Sequence, residues 1–147
     1  MKLRDILKDC EYEVIRGDID IEVKDIAYDS RNVMSDYMFV ALSGFMVDGH
    51  DYIDDAVGKG ARVVVCEKDI VVDEDRNVTI IKMKDTRRSL ATMSRSFYGY
   101  PDKELTTIGI TGTKGKTTTS WTIMRMLEDS GNSAGVIGTM GVFFKDR

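Results

Sequence analysis

Thr107-Ile108-Gly109-Ile110-Thr111-Gly112-Thr113-Lys114-Gly115-Lys116-Thr117-Thr118-Thr119 is an apolar, strand-like run that passes through a glycine-bounded turn into a helix-forming segment. It reads as a phosphate-binding loop. Gly112 and Gly115 let the backbone turn tightly and approach a polyphosphate with no Cβ in between. The backbone from Gly112 through Thr113, Lys114, Gly115, Lys116 and Thr117 to Thr118 then faces the anion at a helix N-terminus, where unpaired N–H groups and the helix dipole favour negative charge. Lys116 adds a point charge for the terminal phosphates, and the Thr117 hydroxyl is placed to hold Mg²⁺. These two are the expected catalytic residues, with Thr117 the expected metal ligand. The plainer alternative is a glycine turn with an incidental lysine; the Gly-Lys-Thr run, the preceding strand and the following amphipathic helix favour the loop.

Downstream, Trp121, Met124 and Leu127 form one apolar stripe on a helix expected from Lys116 to about Ser130, closed by Gly131. Val136-Ile137 reads as the next parallel strand. Upstream, Gly99-Tyr100-Pro101-Asp102-Lys103 holds the only proline of the chain and reads as a boundary. The expectation is an α/β protein with a small N-terminal α/β domain over residues 1–100. Residues 106–147 would begin a P-loop ATPase-type parallel-sheet domain. One strand-loop-helix-strand unit does not cover both faces of a parallel sheet, so the chain reads as a piece of a longer protein.

Within the first hundred residues, Leu3, Ile6 and Leu7 have helical spacing, and Tyr12 to Ile15 and Ile19 to Val23 alternate as two strands around Arg16-Gly17-Asp18. Tyr37 to Leu42, Arg62 to Cys66 and Val78 to Ile81 read as buried strands. Asp51 is the expected N-cap of a helix over 52–59 that stops at Gly60, and Asp85 or Thr86 caps another that runs to Tyr98 and buries Leu90, Met93 and Phe97. Arg87-Arg88 reads as a solvated face.

The 147 residues are 42% hydrophobic and 31% charged, enough for a packed core. A net charge of −4 gives no electrostatic footprint for nucleic acid or an anionic membrane. The N-terminus lacks the apolar core of a signal peptide, and no run is long enough to span a bilayer. The expectation is a cytoplasmic monomer. Cys10, Cys66 and the single His50 have no metal-ligand spacing.

The motifs resemble those of the Mur ligases of peptidoglycan synthesis. Asp29-Ser30-Arg31 followed by Phe39-Val40-Ala41-Leu42-Ser43-Gly44, then Asp48-Gly49-His50-Asp51-Tyr52-Ile53, then the phosphate loop with Gly138-Thr139 beyond it, carry that resemblance over nearly the whole chain. The loop is most similar to the MurE type, which adds the third residue of the stem peptide, although Lys114 stands where that form usually has Asn. By this resemblance residues 1–100 bind a UDP-sugar. Ser30 would hydrogen-bond the uridine of UDP-N-acetylmuramoyl-dipeptide, with Tyr28 beside it and Phe45, Met46 and Val47 closing over the base. A hydroxyl that both donates and accepts suits a uracil edge; the plainer reading of Ser30 is an ordinary turn residue. For His50 a capping or turn contact with Asp48 is the expected role.

The implied reaction uses ATP and Mg²⁺ to phosphorylate the substrate carboxylate, and the amine of a free amino acid, meso-diaminopimelate or L-lysine, displaces the phosphate. The fragment alone would be inactive, since the family's further metal-binding acid, carbamylated lysine and amino-acid-selecting domain lie outside it. The alternatives are the dipeptide-adding MurF type, a folylpolyglutamate-synthetase-like P-loop enzyme, and a non-catalytic UDP-sugar-binding module.

Overall fold

In the computed structural model, which describes residues 1–44, 47–73 and 76–144, the chain falls into two units, Met1–Leu105 and Thr106–Arg147. The first is built on a mixed sheet. Its strands are β1 (Glu13–Arg16), β2 (Ile26–Ala27), β3 (Tyr37–Val40), β4 (Ala61–Cys66) and β5 (Thr79–Lys82), in the spatial order β1-β5-β4-β3-β2. β2, β3, β4 and β5 run parallel; β1 is antiparallel to β5.

A parallel sheet is covered on both faces, so its strands are apolar throughout rather than alternating. Here Phe39, Ala41, Val64, Cys66 and Ile80 face one side, against Ile53 and Ala56 of helix α2 (Ile53–Gly58) and against Val72 and Val78. Met38, Val40, Val63, Val65 and Ile81 face the other, against Leu3, Ile6 and Leu7 of α1 (Leu3–Leu7) and Met93 of α3 (Thr86–Phe97). α2 makes the crossover between β3 and β4. Its stop is Gly60, at φ +103°. Asp85 caps α3, accepting from the Arg88 amide at 2.8 Å. Beyond α3, Tyr100 takes a left-handed φ of 60°; its hydroxyl donates to Asp9 at 2.6 Å, and the ammonium groups of Lys8 and Lys103 lie over its ring.

Two expectations for this unit are corrected. Ile19 to Val23 is not a sheet strand. Its carbonyls at Ile19 and Ile21 accept from Arg4 and Leu3, and the Val23 amide donates to Met1 O. Ile19, Ile21 and Val23 pack on the α1 face, so their alternation reflects burial against a helix and not a strand ladder. Asp51 is not a helix cap either. Asp48 caps the short 3-10 turn Gly49–Tyr52 by accepting from the His50 amide at 3.0 Å, so the chain has already turned when α2 begins at Ile53 with no side-chain cap.

In the second unit, helix α4 (Lys116–Asp129) lies against a hairpin of β6 (Gly135–Gly138) and β7 (Gly141–Phe144). Trp121 packs its ring 4.9 Å from that of Phe143, Met124 and Val136 are buried, and Gly131 at φ +84° ends the helix. Again two expectations fail. Val136-Ile137 pairs antiparallel with Val142-Phe143, because a turn of Thr139 and Met140 offers a neighbour at once, whereas a parallel partner needs a long crossover. Residues 107–110 form no strand: among the described residues none pairs with them in a ladder.

Candidate functional sites

Because β2 to β5 are parallel, the segments that follow them emerge at one edge of the sheet, the edge at which open α/β sheets hold ligands. Tyr28, Asp29 and Ser30 follow β2; Ser43, Gly44 and Val47 follow β3; Glu67 follows β4; Asp85 and Thr86 follow β5. The sequence-predicted residues Tyr28, Ser30 and Val47 thus share this edge. Phe45 and Met46 lie outside the described residues.

Tyr28 is 65% exposed and Val47 57%. Tyr28 and Asp29 help line a groove of about 230 Å³ with Asp25, Ala27, Asn32 and Tyr37. Ser30 is not among its lining residues: it is 6% exposed, the first residue of the 3-10 turn Ser30–Asn32. Its carbonyl accepts from Lys59 Nζ at 3.1 Å. Lys59, 2.8 Å from Asp55, and then the Ser30 hydroxyl hold the Asp55 carboxyl below the usual range. Asp29 takes both the Arg31 amide, at 3.0 Å, and its guanidinium, at 2.7 Å; the guanidinium is the main reason its carboxyl is pulled down to about 2.

The Asp48-Gly49-His50 turn is a polar knot, as expected for His50. His50 Nδ1 lies 2.6 Å from Asp48 Oδ1, and Nε2 accepts from the Glu67 amide at 3.0 Å. With Nε2 an acceptor, the neutral ring carries its proton on Nδ1 and donates it to Asp48. Lys68 pairs with the other Asp48 oxygen. That ammonium first, then the His50 amide and ring, push the Asp48 carboxyl far below its ordinary range.

A depressed folded-state pKa gives stability that is present above the unfolded value, near 4, and lost as pH falls toward the folded value. The thermal midpoint is therefore expected to drop as pH is lowered from about 5 to about 2, with a shallower drop in Asp48→Asn. Circular dichroism melts of both proteins across that range check it, and identical slopes would contradict it.

In the second unit the phosphate-loop residues Gly112 to Thr118 are exposed. Gly112 at φ +152° and Gly115 at φ +78° have the positive dihedrals that their glycine identity permits, and Gly115 has no atom within 4 Å of where a Cβ would stand. α4 begins directly after Gly115, and Thr119 N is the first amide to bond back, to Gly115 O at 2.9 Å. The amides of Lys116, Thr117 and Thr118 therefore lack helical partners. Lys116 Nζ folds back 2.5 Å from Gly112 O, over the loop. The open backbone, the free amides and the ammonium fit a nucleotide polyphosphate. A larger groove of about 520 Å³ runs along α4 past Trp121, Thr122, Arg125 and Met140. It touches the loop through Thr117 and Thr118. Among the described residues no cluster of His, Cys, Asp and Glu is arranged for a metal, and no helix is long and apolar enough to cross a membrane.

Sequence reasoning missed Lys59 and Glu67. Each bonds a partner far along the chain, Ser30 and Thr86 respectively, and no local spacing signals such a pair.

The family model described as "Mur ligase family, catalytic domain" matches residues 22–98. The match lies wholly in the front unit and leaves out the phosphate loop. The chain is 44% identical over 147 residues to UDP-N-acetylmuramoyl-L-alanyl-D-glutamate–2,6-diaminopimelate ligase 1 of Clostridium acetobutylicum, and 44% identical to the corresponding ligase of Clostridium perfringens. All of this chain is covered in both, but it spans only 30% of the length of either relative. A crystal structure of MurF from Acinetobacter baumannii matches with a TM-score of 0.70 at 26% identity, over 87% of this chain and 27% of the other.

Proposed function

Because the chain belongs to the Mur ligase family, we propose that it forms the front part of an ATP-dependent ligase that adds 2,6-diaminopimelate to UDP-N-acetylmuramoyl-L-alanyl-D-glutamate in peptidoglycan synthesis. The observation that carries this reading is the 44% identity, across all 147 residues, to clostridial ligases named for that reaction. The dipeptide-adding type is the second reading, favoured by the solved structure at 26% identity and outweighed by the closer sequence likeness.

The front unit takes the uridine end of the substrate at the C-terminal edge of its parallel strands. Tyr28 offers an aromatic wall, Val47 an apolar contact and Ser30 a hydroxyl. The phosphate loop takes ATP: the amides of residues 112–118 and Lys116 hold the phosphates, and Thr117 holds Mg²⁺. ATP supplies the phosphoryl group that turns an unreactive carboxylate into an acyl phosphate with a good leaving group. This chain's part is to position the phosphates and neutralise their charge. Amide formation by the diaminopimelate amine is completed by segments found in the remaining length of such ligases. A cytoplasmic setting and a monomeric state accord with this reading.

Ser30→Ala tests the uridine assignment. The loss of one neutral hydrogen bond is worth about 0.5–1.5 kcal/mol, so UDP affinity is expected to fall by up to about tenfold while ATP affinity is unchanged. Titration of the chain with UDP, followed by amide chemical shifts, checks it. Absence of any shift near Ser30 and Val47 at millimolar UDP would remove the uridine assignment and leave a generic P-loop enzyme.

A further inference from the structure

A single carboxylate ties together the segments leaving β3, β4 and β5. Glu67 follows β4 directly; its Oε2 accepts from Ser43 Oγ at 2.9 Å, and its Oε1 accepts from the Thr86 amide at 2.7 Å. Thr86 Oγ1 lies 2.9 Å from the same Oε1 and 2.8 Å from Ala41 O, so its one proton serves either acceptor. The Glu67 amide donates to His50 Nε2 at 3.0 Å. Burial opposes the charge of Glu67, but the bonds from Thr86 and Ser43 outweigh it and keep the carboxyl below its ordinary range.

The residues so tied are the two flanks of one turn. Ser43 pairs with Asp48 across it, and Gly49 N donates to Leu42 O at 2.8 Å. Closure is tight: a Cβ on Gly44 would stand 2.4 Å from Val47 O, and one on Gly49 would stand 2.6 Å from Leu42 N. Arg87 adds a bond to Ser43 O at 3.2 Å. Glu67 thus grips the incoming flank by its side chain and the outgoing flank by its amide through His50.

We propose that Glu67 is a positioning residue for nucleotide binding at this edge: it fixes Ser43 on one flank and Asp48–His50 on the other, and so sets where Val47 stands, without itself touching the ligand. This rests on the assignment of uridine to the same edge. A carboxylate is required there because Thr86 offers an amide and a hydroxyl while Ser43 offers a hydroxyl, and an ionised carboxylate can accept from all of them. Glutamine keeps one carbonyl acceptor for Thr86 and turns an amide toward Ser43 Oγ, which can accept from it; alanine leaves both partners unbound.

The test is titration of the 147-residue chain with UDP, well below the melting midpoint of each variant, with amide shifts as the readout. Glu67→Ala is expected to weaken UDP by about tenfold or more, and Glu67→Gln to stay within about threefold of the parent. Ser43→Ala is expected to weaken it as well, and to cause no further loss when added to Glu67→Ala. Should Glu67→Ala fail to fold, Ser43→Ala alone carries the test, since it frees the same flank from the carboxylate, and a UDP affinity equal to that of the parent would overturn the proposal. A purely structural role would lower the melting midpoint of Glu67→Ala and leave its UDP affinity equal to that of the parent, which also overturns it. If the parent chain does not respond to UDP, the uridine assignment fails and this inference with it. If the parent binds and Ser30→Ala weakens binding while Glu67→Ala does not, the positioning role alone is lost.

Discussion

Replacing Lys116 by alanine in the complete ligase is expected to lower kcat/KM for MgATP-dependent amide formation by about 10²–10³-fold or more, the range seen when one preorganised group that stabilises developing charge is removed. The reason lies in the loop. Its amides and the helix dipole offer only partial charges, whereas the Lys116 ammonium offers a full one. Lys116 Nζ sits 2.5 Å from Gly112 O, folded over the turn through which the phosphates would be gripped, and a phosphate would take over that ammonium from the carbonyl. UDP affinity is expected to stay within about twofold, because the groups at the sheet edge all belong to the other unit. Steady-state rates with varied ATP, alongside calorimetric titration with UDP, check both halves. A variant that kept full activity, or that lost UDP and ATP together, would contradict the assignment.

Phe39→Ala should have the largest effect on stability. Phe39 is 1% exposed in β3, between β2 and β4, with Ala41, Val64, Ile53 and Ala56 in the cluster around it. Removing a fully buried phenyl ring from such a core costs about 3–5 kcal/mol, and a domain of this size loses about 4–8 °C in Tm per kcal/mol. The front unit is therefore expected to melt at least about 12 °C lower. It should unfold at a lower urea midpoint with the m value unchanged. A fall of under 1 kcal/mol would mean that neighbouring side chains collapse into the space.

Val63 to Cys66, Tyr37 to Val40 and Thr79 to Ile81 were legible as strands because each is an uninterrupted apolar run, which only a sheet covered on both faces needs. Asp85 and Gly60 were legible because a cap and a helix stop act over three or four residues. What failed depended on partners. The alternation of Ile19 to Val23 shows that every second residue is buried, but α1 buries them as well as a sheet would. Residues 107–110 are β-prone at Thr107, Ile108 and Ile110, yet pairing is a property of two segments. For β6 a signal was available, since two short β-prone runs flank a two-residue turn at Thr139-Met140.

The site residues divide in the same way. The phosphate loop is written in contiguous residues because one turn and one helix end build it. At the sheet edge Tyr28 and Ser30 came from the family motif, and the structure puts Tyr28 in the groove wall and buries Ser30. Glu67 and Lys59 have no motif. They act across 19 and 29 positions of sequence, and only the parallel order of the strands and the α2 crossover bring their partners within reach.

The only tryptophan of the chain is Trp121, and it packs against Phe143 inside the second unit with the ring planes 56° apart. Its fluorescence is therefore an optical reporter of α4 and the hairpin, silent about the five-stranded sheet, whereas far-ultraviolet ellipticity is dominated by the larger front unit. If the two units unfold separately, emission and ellipticity will trace different denaturation curves from a single sample, and their separation measures how strongly the two are coupled. Nucleotide near Thr117 and Thr118, one helical turn from the indole, would then be visible as a change in emission without any added dye.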